Sequence, residues 1–436
     1  MNRLIIVVVL LLCVVPVAGR TEDVIQKGEL LNLDRCIEIA LIRQPGLSAA
    51  RSSASSFESR IGEAKANYYP QINGTAGYSR ISSASSGLSS SSSDQVVGSS
   101  GGAFNQYSAG FSLSQNIYDF GRTSTQVKIS NLNYNSALTD LENVTQVTIL
   151  NVKQAYFGVL QAKRSRDVNV ETVKQFELHL EQAKGFYEVG TKPKFDVTKA
   201  EVDLSNARLN LIKAGNAYKI AIVNLNNAMG VPSAPEYAVE DNLLFKKYDI
   251  TLEGALSRAF ENRPDLQSAV TKRKASEVSI DSAKSNYYPF LTGSASYNWS
   301  GDKVDSLDHG WAVGATVTLP IFSGFLTKHQ VEEARSNLNV LKANEESLRQ
   351  AVILEVQQAY LNLKQAEESV PTAELGVKQA QENMDIANGR YAAGVGNPIE
   401  VADAEVLLAN AKLSYIQALY SYKTSQASLE KAMGMR

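Results

Sequence analysis

Few side chains in this sequence are equipped for covalent or redox chemistry. Three histidines and two cysteines are spread over 436 residues. His179, His309 and His329 lie far apart, and no Ser-His-Asp order, HExxH helix, phosphate loop or cysteine pair accompanies them. His179 stands in a charged helical stretch and reads as a surface residue; His309 falls in a hairpin turn before Trp311, and His329 opens a long helix. An enzyme is therefore the least favoured reading. A disulfide scaffold is excluded and a Cys/His metal cluster disfavoured. No cofactor is implied, and without a nucleotide site any energy must come from partners. The 43 Lys+Arg nearly balance 45 Asp+Glu, and a net charge of −2 gives no general attraction to nucleic acid or an anionic membrane surface. An apolar fraction of 44% is too high for a disordered chain, and only 11 prolines leave room for long helices.

The elements that must position any function begin after residue 19. Arg3, the apolar run Leu4 to Val15 and the small residues Ala18 and Gly19 describe a secretory signal peptide over 1–19. The run is too short to span a hydrocarbon layer, which takes about 20 residues. Its removal takes Cys13 away and leaves Cys36 alone, so no internal disulfide can form. No later stretch is long and apolar enough for a membrane helix, so any membrane passage must be made by strands.

The remainder is duplicated. Asn67-Tyr68-Tyr69-Pro70 recurs as Asn286-Tyr287-Tyr288-Pro289, an offset of 219. Further on the offset is 204: Gln154-Ala155-Tyr156 matches Gln358-Ala359-Tyr360, and Ala228-Met229-Gly230 matches Ala432-Met433-Gly434. A serine-rich insertion, 82–100, accounts for the 15-residue difference. The two repeats are 20–230 and 251–436, joined by a linker at 231–250.

Each repeat opens with two short helices broken at Pro45 or Pro264, the second running to about Tyr69 or Tyr288. The period then changes to two. Strands are expected at about 70–81, 105–118, 290–300 and 310–321, with one apolar face and one face of Ser, Thr, Asn and Gly. Their length of about 9–11 residues suits a tilted membrane strand. Their aromatic ends suit an interfacial girdle. The small polar face fits a watery lumen better than a soluble sheet. Long helices follow at about 121–186 and 325–390, with apolar residues stepping by three and four (Ile149, Val152, Tyr156, Val159). Pro371 predicts a local kink. Turns at Gly190-Thr191-Lys192-Pro193 and Gly394-Val395-Gly396-Asn397-Pro398 lead into antiparallel return helices at about 195–228 and 399–433. Gly190, Gly394 and Gly396 are expected to supply positive φ. Tyr187, Arg390 and Tyr391 stand beside the turns, placed to close them by hydrogen bonds or ion pairs.

Four strands cannot close a barrel, because open edges in lipid leave backbone groups unpaired and known barrels start at about 8. Two copies would fill their interior with side chains. Three would give 12 strands and room for water. A non-transporting coiled-coil scaffold in the periplasm or on the cell surface is the competing reading, but it has no use for amphipathic strands.

The signal peptide, the duplicated helix–hairpin–long-helix–turn–helix unit, the paired Asn-Tyr-Tyr-Pro motifs and the glycine turns resemble the TolC-type outer-membrane efflux proteins over essentially the whole mature chain. The resemblance implies a fold that is mainly α with membrane β. In it, long antiparallel coiled-coil helices form an α-barrel tunnel in the periplasm. Two β-hairpins per protomer join a shared 12-stranded outer-membrane barrel in a homotrimer, and the linker lies at the tunnel's equator. It implies an outer-membrane location, contact with outer-membrane lipid, and a passive exit duct docked to a periplasmic adaptor (membrane fusion) protein and an inner-membrane pump or ABC exporter. In the family, acidic residues six and nine positions after the second turn's leading glycine line the periplasmic gate, which here are Glu400 and Asp403; this chain has Glu where Asp is also common. The first repeat carries Asp196 and Lys199 instead, so no all-acidic ring is expected from it. The resemblance also assigns adaptor contact to the tip turns, Gly190, Thr191, Gly394 and Gly396, with Tyr187, Arg390 and Tyr391 beside them.

Overall fold

The structure, a computed structural model, describes residues 25–82 and 103–436. The expected signal peptide and all but the first residue of the serine-rich insertion lie outside them. In the first repeat, β1 (Leu30–Leu31) precedes α1 (Leu33–Arg43), whose Asn32 cap accepts the Arg35 N–H at 2.8 Å. Helix α2 (Pro45–Lys65) starts on its proline, which lacks only an N–H that the first helical position leaves unused. The expected helical run to Tyr69 stops four residues early. A 3₁₀ turn at Ala66–Tyr68 replaces its end, because the residue before Pro70 is pushed out of the α region. Strands β2 (Gln71–Ser82) and β3 (Ala103–Tyr118) lead to α3 (Arg122–Glu188) and α4 (Lys194–Met229). The linker contributes β4 (Ala238–Val239). The second repeat gives α5 (Leu252–Asn262), α6 (Pro264–Ser285), β5 (Phe290–Lys303), β6 (Ser306–Thr318), α7 (Leu326–Ala392) and α8 (Pro398–Ala432).

The four long strands form one antiparallel sheet in the order β2-β3-β5-β6. Both hairpins have the same register: Gln71 faces Ser114 and Phe290 faces Thr318, positions related by the two sequence offsets. Leu113, Phe111, Ala295, Tyr297, Val313 and Trp311 share one face, and the serines and threonines the other. A bulge between Asn116 and Tyr118, invisible to a strict period of two, shifts the last pair to Tyr118 with Leu291. Between sheet and helix the chain takes two successive left-handed residues in each repeat, Phe120-Gly121 (φ 49° and 86°) and Gly324-Phe325 (φ 63° and 66°). Phe120 stacks on Tyr288 of the second Asn-Tyr-Tyr-Pro motif, ring centroids 5.6 Å apart.

Helices α3 and α7 are 67 residues each, about 100 Å at 1.5 Å per residue. Each packs antiparallel on its own return helix, and α3 also lies against α6 and α8 of the other repeat. Helix α7 continues through Pro371 as one helix. The main core gathers halfway along the long helices, around Tyr156, Leu160, Leu363, Leu419 and Tyr422. The linker closes over it. β4 pairs in parallel with β1, the Tyr156 hydroxyl donates to the Glu240 carbonyl at 2.7 Å, and Tyr422 to that of Lys246 at 2.6 Å. Arg164 grips Asp241 through two hydrogen bonds of 2.9 and 2.8 Å.

Candidate functional site: the helical tip

Both α–α turns are built alike. Gly190 and Gly394 each have φ 76°, and each donates its N–H to a tyrosine carbonyl, Tyr187 or Tyr391, at 3.0 Å. The next N–H groups reach back to Phe186 (from Thr191, 3.0 Å) and Arg390 (from Val395, 3.1 Å), so the orphan carbonyls of the helix ends are satisfied. The Thr191 hydroxyl adds a bond to the Phe186 carbonyl at 2.8 Å. Gly396 differs from its expected role, since its φ is not positive. It is required by close approach: a Cβ there would stand 2.7 Å from the Tyr391 nitrogen and 2.9 Å from the Arg390 carbonyl carbon. Backbone atoms cannot yield as a side-chain end would. Gly396→Ala is expected to cost about 1–3 kcal/mol by overpacking. Gly394→Ala meets nothing within 4 Å and tests the left-handed φ alone, about 1–2 kcal/mol. Protease sensitivity of the second turn relative to the first reads both; a silent Gly396→Ala would show that the turn is not held in this form.

The acidic residues follow the second turn. Asn397 caps α8, its side chain accepting the Ile399 N–H at 2.9 Å, and Glu400 lies in the first turn, where the helix dipole favours a carboxylate. Asp403 follows on the same face one turn later, and both are exposed. The structure brings Glu400 within 3.6 Å of Arg390, a solvated pair of the kind that contributes little. In the first repeat Asp196 is buried and Lys199 pairs with Asp203 at 2.9 Å. Exposed carboxylates at these positions therefore belong to the second repeat alone. Tyr187 is exposed beside its turn.

Tyr391 turns inward, 2% exposed, its ring 5.5 Å from Phe186 and 5.4 Å from His179. The surface position expected for His179 is overturned: it is 7% exposed. The core stripe Val173, Phe176, Ala183 steps through it, but flanking Glu177 and Glu181 made the stretch read as solvated. A cavity of about 190 Å³ between α3, α7 and α8 is lined by His179, Asn388, Val401 and Glu405 among others. Glu405 was not anticipated; it is 5% exposed, and its Oε2, the His179 Nδ1 and the Tyr391 hydroxyl have no hydrogen-bond partner among the described residues. Burial pushes the Glu405 carboxyl up to about 7, with Lys412 opposing and Glu171 adding to the shift. Burial likewise pushes the His179 imidazole down, against Asp203 and with Lys199. Among the described residues no three His, Cys, Asp or Glu side chains are grouped to hold a metal, and no helix is long and apolar enough to cross a membrane.

This geometry, two long helical hairpins below a four-stranded sheet, has counterparts. The chain matches the family described as Outer membrane efflux protein over residues 36–231 and 255–435. It is 27% identical over 424 residues to the outer membrane protein TolC of Escherichia coli, covering 92% of this chain and 82% of that one. It is 22% identical over 407 residues to a toluene efflux pump outer membrane protein, TtgC, of Pseudomonas putida, with coverages of 92% and 82%. Among solved structures it superposes on the Campylobacter jejuni CmeC outer membrane channel with a TM-score of 0.80 at 20% identity, covering 92% and 85% of the two chains. The open state of the Neisseria gonorrhoeae MtrE outer membrane channel gives a TM-score of 0.77 at 19% identity, with coverages of 92% and 89%. The fold is thus mainly α with a membrane sheet, and the chain belongs to the outer membrane efflux protein family, a transport protein of the bacterial outer membrane rather than an enzyme.

Proposed function

We propose that the chain works as a homotrimer whose sheets join into a 12-stranded barrel and whose helices line a periplasmic tunnel. It is the passive exit duct of a multi-component efflux or type I secretion system. The observation that carries this reading is the sheet: among the described residues, four strands with an apolar face open to the outside and unpaired edges at β2 and β6. Such a sheet is unstable alone in lipid and closes only with neighbours. A structural coiled coil would have no use for it. The efflux-pump names of the relatives support an inner-membrane pump and a periplasmic adaptor as partners. The adaptor would dock at the tip turns around Gly190 and Gly394, and the helices would part when it binds.

Glu400 and Asp403 would line the gate, three copies gathering six carboxylates at its mouth. Such a ring concentrates cations. The double variant Glu400→Gln, Asp403→Asn is expected to lower cation-over-anion selectivity about 3- to 10-fold in planar bilayers, read from the reversal potential in a salt gradient. Unchanged selectivity would remove these residues from the gate; absence of any channel would remove the duct.

A further inference from the structure

We infer that the cavity of about 190 Å³ at the helical tip is a binding site for a small apolar primary amine, whose ammonium group is received by Glu405 and His179. The site is built by one chain, so it stands or falls apart from the trimer and the gate proposed above.

The cavity joins two buried acceptors to an apolar lining. His179 comes from α3 and Glu405 from α8, and both line it at 7% and 5% exposure. Glu405 Oε2 and His179 Nδ1 have no hydrogen-bond partner among the described residues. Burying such groups unpaired costs the fold free energy, so the arrangement is one that a ligand supplying donors would complete. Phe176, Met384 and Val401 give the cavity its apolar side. Leu178, Gln182 and Asn388 line it too but are exposed, which places them at its mouth.

The chemistry of this lining selects the ligand. Among the described residues no cationic side chain lines the cavity, so an anion finds no partner there. Lys412, whose charge acts on Glu405, is itself held by Glu171 at 2.9 Å. A metal ion would want a third ligand, and among the described residues no three His, Cys, Asp or Glu side chains are grouped. An ammonium group carries three N–H donors and no acceptor. It suits a carboxylate, the acceptor nitrogen of a neutral imidazole and the side-chain oxygen of Asn388. Burial keeps His179 neutral, with Lys199 of α4 helping and Asp203 and Asp196 of α4 opposing. From α7 the cavity receives Met384, Asn388 and Ala392, none of them charged. A dry cavity of about 150 Å³ holds benzene, so there is room here for one ring bearing an aminomethyl group. Glu405 is pushed up to about 7 by burial, with Lys412 opposing and Glu171 adding, and it gives its proton to solvent when it pairs with the ammonium. Binding therefore strengthens as pH rises to about 7 and levels off above it.

The test titrates the purified full chain in detergent by isothermal calorimetry. The probes are benzylamine, a cation from pH 6 to 8, and benzyl alcohol, its uncharged counterpart. Benzylamine is expected to bind about tenfold more tightly at pH 8 than at pH 6, as a carboxyl titrating near 7 requires. Glu405→Gln is expected to weaken it at pH 8 by about tenfold or more, and benzyl alcohol to bind wild type as poorly. Val401→Phe fills the cavity, leaves both polar groups in place and is expected to abolish binding; Glu405→Gln reports without a change of volume if that variant fails to fold. Bound benzylamine is expected to slow hydrogen exchange in Phe176–Glu188 and Met384–Ala392. Binding kept in Glu405→Gln but lost in Glu400→Gln, Asp403→Asn would assign the amine to the exposed acids and overturn the cavity site. Equal affinity for benzyl alcohol would leave an apolar hole and overturn the ammonium site. A channel-forming trimer that binds no benzylamine at pH 8 overturns this inference alone and leaves the duct.

Discussion

Replacing Arg263 with leucine is expected to destabilise the protein by about 3–5 kcal/mol, the range for breaking a buried ion pair by removing one partner. Arg263 is 4% exposed and sits between the two helices at the start of the second repeat. Its guanidinium donates to both Asp265 oxygens (3.0 and 2.6 Å), to Glu355 on α7 (2.6 Å) and to the Ala432 carbonyl at the end of α8 (3.1 Å). Lys431 adds a bond to Glu355 at 2.9 Å. Burial would push both carboxyls up, but these hydrogen bonds and charges outweigh it and hold Asp265 and Glu355 below the usual carboxylate range. Leucine would leave two acids partly buried without that cation. The sign follows from the depressed values: the network's contribution is present above the ordinary carboxylate range and is lost as pH falls through the folded values. In the first repeat the same place is held by Gln44, whose amide reaches the Ala228 carbonyl at 3.3 Å. Gln44→Leu is therefore the internal control, at about 1 kcal/mol. Thermal unfolding in detergent compares the two, and equal losses would show that the ion network does not bear on stability.

At the tip, Glu405→Gln is expected to raise stability at pH 8 by about 3 kcal/mol while changing little at pH 4.5. The Glu405 carboxyl rises to about 7 from an ordinary value near 4.5, and each unit is worth about 1.4 kcal/mol. Its contribution is therefore complete below about pH 4.5 and is lost as pH rises to about 7. His179 works in the opposite sense: it is held neutral by burial, so protonating it in the unfolded chain penalises the fold as pH falls below the ordinary imidazole range. Together they confine the tip's best stability to a band of mildly acidic pH. Hydrogen exchange of amides in Phe176–Glu188 and Met384–Ala392, followed from pH 5 to 8, measures both slopes. An identical pH profile for wild type and Glu405→Gln would mean that the carboxyl is solvated.

The long helices and the paired strands were legible because each carries its period over many residues: Ile149, Val152, Tyr156 and Val159 by threes and fours, Trp311 to Val317 by twos. What stayed hidden depends on single residues or on contacts distant in sequence. The pairing of Leu30–Leu31 with Ala238–Val239 is two residues long and has no period. The bulge at Asn116 inserts one residue into an otherwise regular alternation. Gly396 resembles any turn glycine until the closeness of Tyr391 is seen. Arg263 reads as the residue before a proline, and its partners Glu355 and Ala432 lie 92 and 169 residues away. At the tip the sequence located the turns and the acids after them. It missed the inward set His179 and Glu405, although the stripe Val173, Phe176, Ala183 pointed to the first.

The left-handed step between sheet and helix is spelled Phe-Gly in one half of the chain and Gly-Phe in the other. Either order leaves one bulky residue in a conformation that disfavours it by about 1–2 kcal/mol, so exchange of one spelling for the other is close to neutral and open to drift. The rings do not follow the same route, however. Phe120 lands on Tyr288, whereas Phe325 meets its own neighbour Phe322. One backbone step thus serves two different aromatic surroundings, and the two halves of the chain are not interchangeable where sheet meets helix.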